Sequence, residues 1–264
     1  MIYINVRVII ASKILGIKSI VRNNISVFSS SISATLRFAM KKVYPMSDKI
    51  IAQQDEMRKE IIDVLHVEPT KVVALQNPLK VELIDQLSQE ESPYKDNNKV
   101  NYLWVARFDK AKGQDVLIRA FDIVHQKNPK ANLYFVGSYN KSNAIYLDVV
   151  NYVKEKHLQD CVHFVGLQDN PYKWVKNCTC FVMPSRIEGL PNALIEAMYL
   201  KRPVVGTKCI PIVERIIKDG FNGYVVPVEE PEALACGMIK AISLRDFNMT
   251  YVPSSKEDFI KLFN

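Results

Sequence analysis

The sequence has no C-x-x-C pair, and its five cysteines, Cys161, Cys178, Cys180, Cys209 and Cys236, are odd in number. Neither a disulfide framework nor a zinc site is indicated by such a set. The expected compartment is a reducing cytoplasm. Only four histidines occur, His66, His125, His157 and His163, and they do not cluster. They are expected at the surface or at helix ends, with no metal bound. No apolar run reaches the ~20 residues of a membrane-spanning helix. The apolar start of the chain is broken by Arg7 and Lys13. No small-residue cleavage site follows it, so a signal peptide fits poorly. No G-x-G-x-x-G follows a predicted strand, which argues against a nicotinamide dehydrogenase, and no P-loop lysine motif occurs. Zinc-finger and aromatic RNP patterns are also missing, so no nucleic-acid partner is expected. Internal repeats and low-complexity tracts are absent.

What is present is an ordinary soluble composition, 48% hydrophobic and 24% charged, over 264 residues. That length suits one large domain or two smaller ones. The net charge of +7 is uneven. Residues 1–60 hold ten Lys/Arg against four Asp/Glu. Such a surplus suggests an anionic lipid or an anionic substrate. Within it, Thr35 to Val43 reads as a helix, with Leu36, Met40 and Val43 on one face and Arg37, Lys41 and Lys42 around it. A basic amphipathic helix of this kind lies on an anionic membrane, or packs one face on its own domain. Peripheral contact with the inner face of the cell membrane is therefore one expectation for this part.

The first part reads as alternating elements. Helices are predicted at Met1 to Gly16, with Val6, Ile9, Ile10, Lys13 and Ile14 as its face, and at Asp55 to Leu65. Strands are predicted at Ile17 to Val21, Ser47 to Gln53 and Val72 to Leu75. Ser88 to Lys99 is polar and reads as an interdomain linker. Beyond it, strands are predicted at Val100–Ala106, Asn132–Gly137, Val162–Gly166, Cys180–Met183, Val204–Thr207 and Tyr224–Val226. Helices between and after them cover Gln114–Gln126, Asn143–His157, Pro171–Lys176, Pro191–Leu200, Val213–Lys218 and Pro231–Ile242. Alternating βα units imply an α/β fold with a doubly wound parallel sheet. Ligands bind such sheets at the carboxyl ends of the strands. Arg107, Gly137, Gly166, Ser185 and Lys208 each follow a strand and are expected on that edge.

One stretch organises the rest. Phe181-Val182-Met183 ends at Pro184-Ser185, a short loop carries Glu188 and Gly189, and Pro191 suits the first position of a helix. Glu196 sits in that helix among Leu194, Ile195, Ala197 and Met198. A carboxylate there is costly unless something hydrogen-bonds it. A sugar hydroxyl would serve, and so would an ordinary structural partner. Upstream, Arg107 and Lys112 bracket another strand-end loop before Gly113. They are either an anion grip or a solvated basic turn.

The wording EGLPNALIEAM, with Glu188 and Glu196 separated by seven residues, resembles the signature of the family-4 retaining glycosyltransferases of the GT-B fold. Val105 to Gly113 resembles that family's Arg and Lys-Gly pair, and Asp219 to Pro227 its DGxNGxLVP turn. The three stand in the family's order and cover roughly residues 100–243. The resemblance implies a C-terminal Rossmann domain that binds a nucleoside-diphosphate sugar. Arg107 and Lys112 would grip the diphosphate, and Gly113 would let the backbone approach. Gly189 and the start of the Pro191 helix would add N–H groups and a dipole, and Leu190, Pro191 and Asn192 would lie against the donor. Glu196 would hold the ribose hydroxyls. Glu188 would lie against the donor sugar near its anomeric carbon, without being a nucleophile. Arg107, Lys112 and Glu188 are thus the expected catalytic set. No D-x-D pair occurs, consistent with transfer that needs no metal or other cofactor. The implied activity is transfer of a hexosyl or N-acetylhexosaminyl unit to a glycan or lipid-linked acceptor, in polysaccharide or lipopolysaccharide synthesis.

Residues 1–87 resemble the second half of the family's N-terminal, acceptor-side domain. Residues 88–99 are then the linker, 100–243 the donor domain and 244–264 a tail. Asn24 falls where the family has a histidine facing the acceptor. The family's first strands and their Gly-rich loop have no counterpart here, so a shortened gene, or another chain completing the fold, is expected. An open sheet edge would then favour an oligomer or a partner chain. The competing reading is a non-catalytic nucleotide-sugar-binding module or subunit. A sugar-nucleotide epimerase of the same fold is a third, which the Glu188/Glu196 spacing fits less well.

Overall fold

The computed structural model describes residues 2–29, 32–96, 98–245, 248–249 and 253–262. The chain divides into two compact units, Met1–Leu79 with Pro253–Asn264, and Lys80–Val252.

The first unit runs α1 (Ile2–Leu15), β1 (Ile20–Asn23), α2 (Ala34–Val43), β2 (Lys49–Ala52), α3 (Asp55–Leu65) and β3 (Val72–Ala74). A short helix, Lys256–Ile260, belongs to the same unit. The strands form a parallel sheet in the order β1-β2-β3, with Val21 opposite Ile50 and Ile50 opposite Val72. Ile9, Val27, Met40, Tyr44, Ile50, Ile61 and Leu65 close the core.

The buried face of α1 differs from the predicted one. Ile2, Asn5, Ile9 and Ser12 face inward. Both polar residues are satisfied there: Asn5 Nδ2 donates to the Arg22 carbonyl at 2.7 Å, and Ser12 Oγ to the Ile9 carbonyl at 2.9 Å. A helix apolar on every side offers no periodic contrast to choose a face. β1 starts three residues later than predicted, because Ser19 is held by Asp48, whose Oδ2 accepts from the Ser19 N–H at 2.8 Å.

The second unit opens with α4 (Val81–Ser88), which sequence reading assigned to the first domain. Its end is fixed by Asn170, whose Nδ2 donates to the Leu87 carbonyl at 2.8 Å. The polar stretch that follows is not a loose linker. Tyr94 is buried, donates to the Trp174 carbonyl at 2.9 Å and packs edge-on against Tyr134 and Trp174.

Six parallel strands follow: β4 (Val100–Val105), β5 (Ala131–Val136), β6 (Val162–Gly166), β7 (Cys180–Met183), β8 (Val204–Thr207) and β9 (Gly223–Val226). Helices α5 (Gln114–Lys127), α6 (Ala144–Glu155), α7 (Tyr172–Asn177), α8 (Asn192–Tyr199), α9 (Pro211–Ile216) and α10 (Pro231–Ala241) connect and follow them. Each strand lies within one residue of its predicted bounds. Strands buried on both faces read as near-continuous apolar runs, and β7, with all four residues buried, does. The sheet order is β6-β5-β4-β7-β8-β9. The chain winds outward from β4 to β6, then crosses back to start again at β7. The switch point between β4 and β7 is where a crevice opens in such a sheet.

Candidate active site

Two strand-end loops meet at that switch point. The first follows β4. Its Phe108 is buried in an aromatic cluster, 5.2 Å between ring centres from Trp104 and 5.4 Å from Phe135. The Phe108 N–H also donates to the Ser138 carbonyl at 3.0 Å. Arg107 and Asp109, on either side of this anchor, are held at the rim and pair at 3.3 Å. Asp109 Oδ1 accepts from the Ala111 N–H at 3.0 Å and starts a 3₁₀ turn, Lys110–Lys112. Gly113 ends the turn at φ 69°, where a Cβ would lie 2.0 Å from the Pro184 carbonyl oxygen. Its close approach is thus to the end of β7. The expected need for a glycine holds, but the neighbour is this carbonyl.

The second loop follows β7. Ser185 is buried and donates from Oγ to Glu188 Oε1 at 2.7 Å. Lys112 Nζ donates to the same oxygen at 2.7 Å. The side chains are 26% and 11% exposed, so the pair is largely withdrawn from water and weakly screened. The Arg186 and Ile187 N–H groups both bond the Ala111 carbonyl, at 2.8 and 3.3 Å. The two loops form one hydrogen-bonded block.

A cavity of about 250 Å³ lies against this block. Arg107, Lys112, Ser185, Glu188, Leu190, Pro191 and Asn192 line it, with the ends of β4 and β7 as its floor. The start of α8 is at its wall, with Pro191 just before the helix instead of in its first turn as predicted. Helix starts attract anions. An Arg, a Lys and a helix start around one cavity are equipped to hold a polyanion beside a carboxylate.

Glu196 and Gly189 do not line this cavity. Glu196 lies one helical turn along α8, and burial pushes its carboxyl up to about 7. Tyr172 and Lys80 oppose the shift only in part. The Tyr172 hydroxyl is 3.5 Å from Glu196 Oε1, at the limit of a hydrogen bond. The structural partner that sequence reading left open is therefore a weak one. Asn24 is in the first unit, half-buried just past the end of β1.

The Asp219 to Pro227 motif is structural. Asn222 is fully buried, accepts from the Lys218 N–H at 2.8 Å and donates to the Ile216 carbonyl at 3.2 Å. Asp219 accepts from the Val225 N–H at 2.8 Å. Together they close α9 and set β9 beside β8. Sequence reading passed over Asp115, Glu229 and Tyr172, which are single polar residues inside apolar elements or turns. Among the described residues no three His, Cys, Asp or Glu side chains gather as metal ligands would. No described helix is long and apolar enough to cross a membrane.

Residues 85–258 match the family model described as "Glycosyl transferases group 1". An uncharacterized glycosyltransferase of Methanocaldococcus jannaschii is 34% identical over 181 residues, 67% of this chain and 44% of that protein. The N-acetylgalactosamine-N,N'-diacetylbacillosaminyl-diphospho-undecaprenol 4-alpha-N-acetylgalactosaminyltransferase of Campylobacter jejuni is 26% identical over 202 residues, 76% of this chain and 53% of that protein. The chain thus spans about half the length of these relatives. Anabaena Alr3699/HepE, solved in complex with UDP and glucose, superposes with a TM-score of 0.75 at 19% identity, covering 92% of this chain and 67% of that one. That likeness shows the fold, which is GT-B.

Proposed function

The chain belongs to the group 1 glycosyl transferases, and from that premise we propose that it moves a sugar from a nucleoside-diphosphate sugar to a glycan or lipid-linked glycan, with retention of anomeric configuration. The transferred unit is a hexosyl or N-acetylhexosaminyl group, and the setting is cell-surface polysaccharide synthesis. The observation that carries this reading is the meeting of Arg107, Lys112, Glu188 and the start of α8 on one cavity at the sheet's switch point.

The donor diphosphate lies between Arg107 and Lys112, against the start of α8. As the glycosidic bond breaks, charge grows on the leaving diphosphate. Cations and N–H dipoles already fixed there stabilise that charge without reorganising. They do the work that a divalent cation does elsewhere, so the reaction requires no metal. Lys112 has a second task. Its ammonium has three donors and already holds Glu188 at 2.7 Å, so one group links leaving diphosphate and carboxylate. Glu188, fixed also by Ser185, orients the donor sugar. Glu196 accepts from the ribose hydroxyls, which supply a stronger partner than the long bond from Tyr172. The cavity of about 250 Å³ is below the ~300–1,000 Å³ of most small-molecule sites. It holds part of the donor. Asn24 is assigned to the acceptor side.

Lys112→Ala and Glu196→Ala should each abolish transfer while the fold survives, with EDTA leaving the unaltered chain active. Turnover assays with UDP- and GDP-sugars, beside nucleotide titration and a circular dichroism melt, check these outcomes. Unchanged turnover in either variant refutes the site.

A second reading is a donor-binding subunit that transfers only with a partner chain. It is favoured by the outer edge of β1, which has no neighbouring strand among the described residues. Donor binding without turnover by the isolated chain would select it.

A further inference from the structure

The Glu188 loop is held by more than its backbone. Arg186 lies two residues before Glu188, and every N–H of its guanidinium finds an acceptor. Nη1 donates to the Lys110 carbonyl at 2.7 Å and to Asp115 Oδ1 at 2.8 Å. Nη2 donates to Asp115 Oδ2 and to Glu229 Oε2, each at 2.8 Å. Nε donates to Glu229 Oε1. The partners come from the 3₁₀ turn that ends in Lys112, from the first turn of α5 and from the loop after β9. One planar group therefore joins three loops to its own. Lysine has no such fork and offers a point charge.

The surroundings are arranged to keep this clamp shut. The Arg186 and Asp115 side chains are 15% and 20% exposed. Burial disfavours the Asp115 charge, but the hydrogen bonds and charge of Arg186, with backbone N–H groups, outweigh it and lower its pKa. Glu229 stands at φ 65°, a conformation that favours glycine. A glutamate is kept there where its carboxylate reaches Arg186.

We propose that Arg186 is a positioning residue for sugar transfer: by pinning the Glu188 loop to the Lys112 turn it sets the separation of those two charged groups. The proposal rests on the reading of the site above. Misplacement of catalytic groups by about 1 Å costs on the order of a hundredfold in rate. Arg186 does not line the cavity assigned to the donor, so its loss falls on the chemical step and spares the grip of Arg107 and Lys112.

The test compares the unaltered chain with Arg186→Lys and Glu229→Gly. Donor kcat and KM, UDP and GDP affinity, thermal midpoint and amide exchange at residue 186 are measured. For Arg186→Lys, kcat should fall about 10- to 100-fold, KM and nucleotide affinity should stay within about threefold, and exchange at residue 186 should accelerate. Glu229→Gly relieves the left-handed backbone while opening the clamp. Its midpoint should hold or rise while kcat still falls. Wild-type kcat in Arg186→Lys, or losses that track the unfolded fraction in both variants, overturns the proposal. If the chain turns over only with a partner, exchange at residue 186 decides: an unchanged rate in Arg186→Lys overturns the clamp. If the unaltered chain binds no nucleotide and transfers nothing, the reading of the site fails. Failure of the clamp alone shows instead as a variant equal to an active parent.

Discussion

At the scale of single residues, the most informative group is Glu196, whose carboxyl burial pushes up to about 7. Its folded-state pKa lies above the unfolded value of about 4.3. The folded chain therefore binds more protons than the unfolded chain between about pH 4.5 and pH 7, and stability falls as pH rises through that window. The loss is on the order of 3 kcal/mol once Glu196 is fully ionised. Asp115 and Glu229 have the opposite sign. Arg186 holds both carboxyls below their usual range, so their contribution is present at neutral pH and is lost as pH falls below about 4. Glu196→Gln should thus raise the thermal midpoint at pH 8 and leave it unchanged at pH 4.5. Donor binding should show the converse. Ribose hydroxyls bond best to the ionised carboxylate, so affinity should fall about tenfold from pH 8 to pH 6. Glu196→Gln should bind weakly and without that slope. Equal slopes in parent and variant would mean that Glu196 does not meet the ribose. The sequence showed that this carboxylate is out of place among apolar neighbours. It could not show that Tyr172, distant along the chain, stands only at the limit of bonding it.

Among elements, the strands of the second unit were legible as short, mostly apolar runs between helical patterns, and β6, β7 and β8 match their predicted bounds. The loops between them were legible as positions but not as contacts. Arg107 and Lys112 were expected on the diphosphate and Glu188 against the sugar, and all three line one cavity. The ion pair between Lys112 and Glu188 depends on two loops 76 residues apart, which no local pattern encodes. α4 was missed because it spans only eight residues, Val81–Ser88, and runs straight into the polar stretch read as a linker. Tyr94 was missed because one buried aromatic in a polar stretch leaves no periodic trace. Glycines separate local from tertiary demand. Gly113 and Gly166 both have positive φ, 69° and 84°. A Cβ on Gly166 meets nothing within 4 Å, whereas one on Gly113 meets the Pro184 carbonyl oxygen at 2.0 Å. Gly166→Ala should therefore cost only the backbone term, about 1–2 kcal/mol. Gly113→Ala should cost distinctly more, and donor affinity should fall with it as the Lys112 turn is pushed off β7. Urea melts with UDP and GDP titrations would measure both. Equal losses at the two glycines would show that the turn yields freely.

For the molecule as a whole, what stands out is a surface without a covering. In the first unit, α1 exposes Tyr3, Ile4, Ile14 and Leu15 at 59 to 79%. Ile17 follows at 58%. In the same unit β1 is an edge strand, with a neighbouring strand only on its β2 side among the described residues. Exposed apolar residues are ordinary one at a time, but contiguous ones next to an open strand edge are an association surface. The charge nearby is that of Arg7, of the exposed Lys18 and of Lys13, which pairs with Asp48 at 3.7 Å. α2, by contrast, buries Leu36 and Met40 in its own unit, as the bland expectation for it held. The apolar face of α1 is thus the stronger driver of association. Purified alone, the chain should sediment as a concentration-dependent mixture larger than a monomer. Ile4→Lys with Ile14→Lys should shift it toward monomer without moving the thermal midpoint, because both side chains are already in water. A monodisperse parent in sedimentation, with this face resisting proteolysis at low concentration, would mean that α1 and β1 tolerate solvent as they stand.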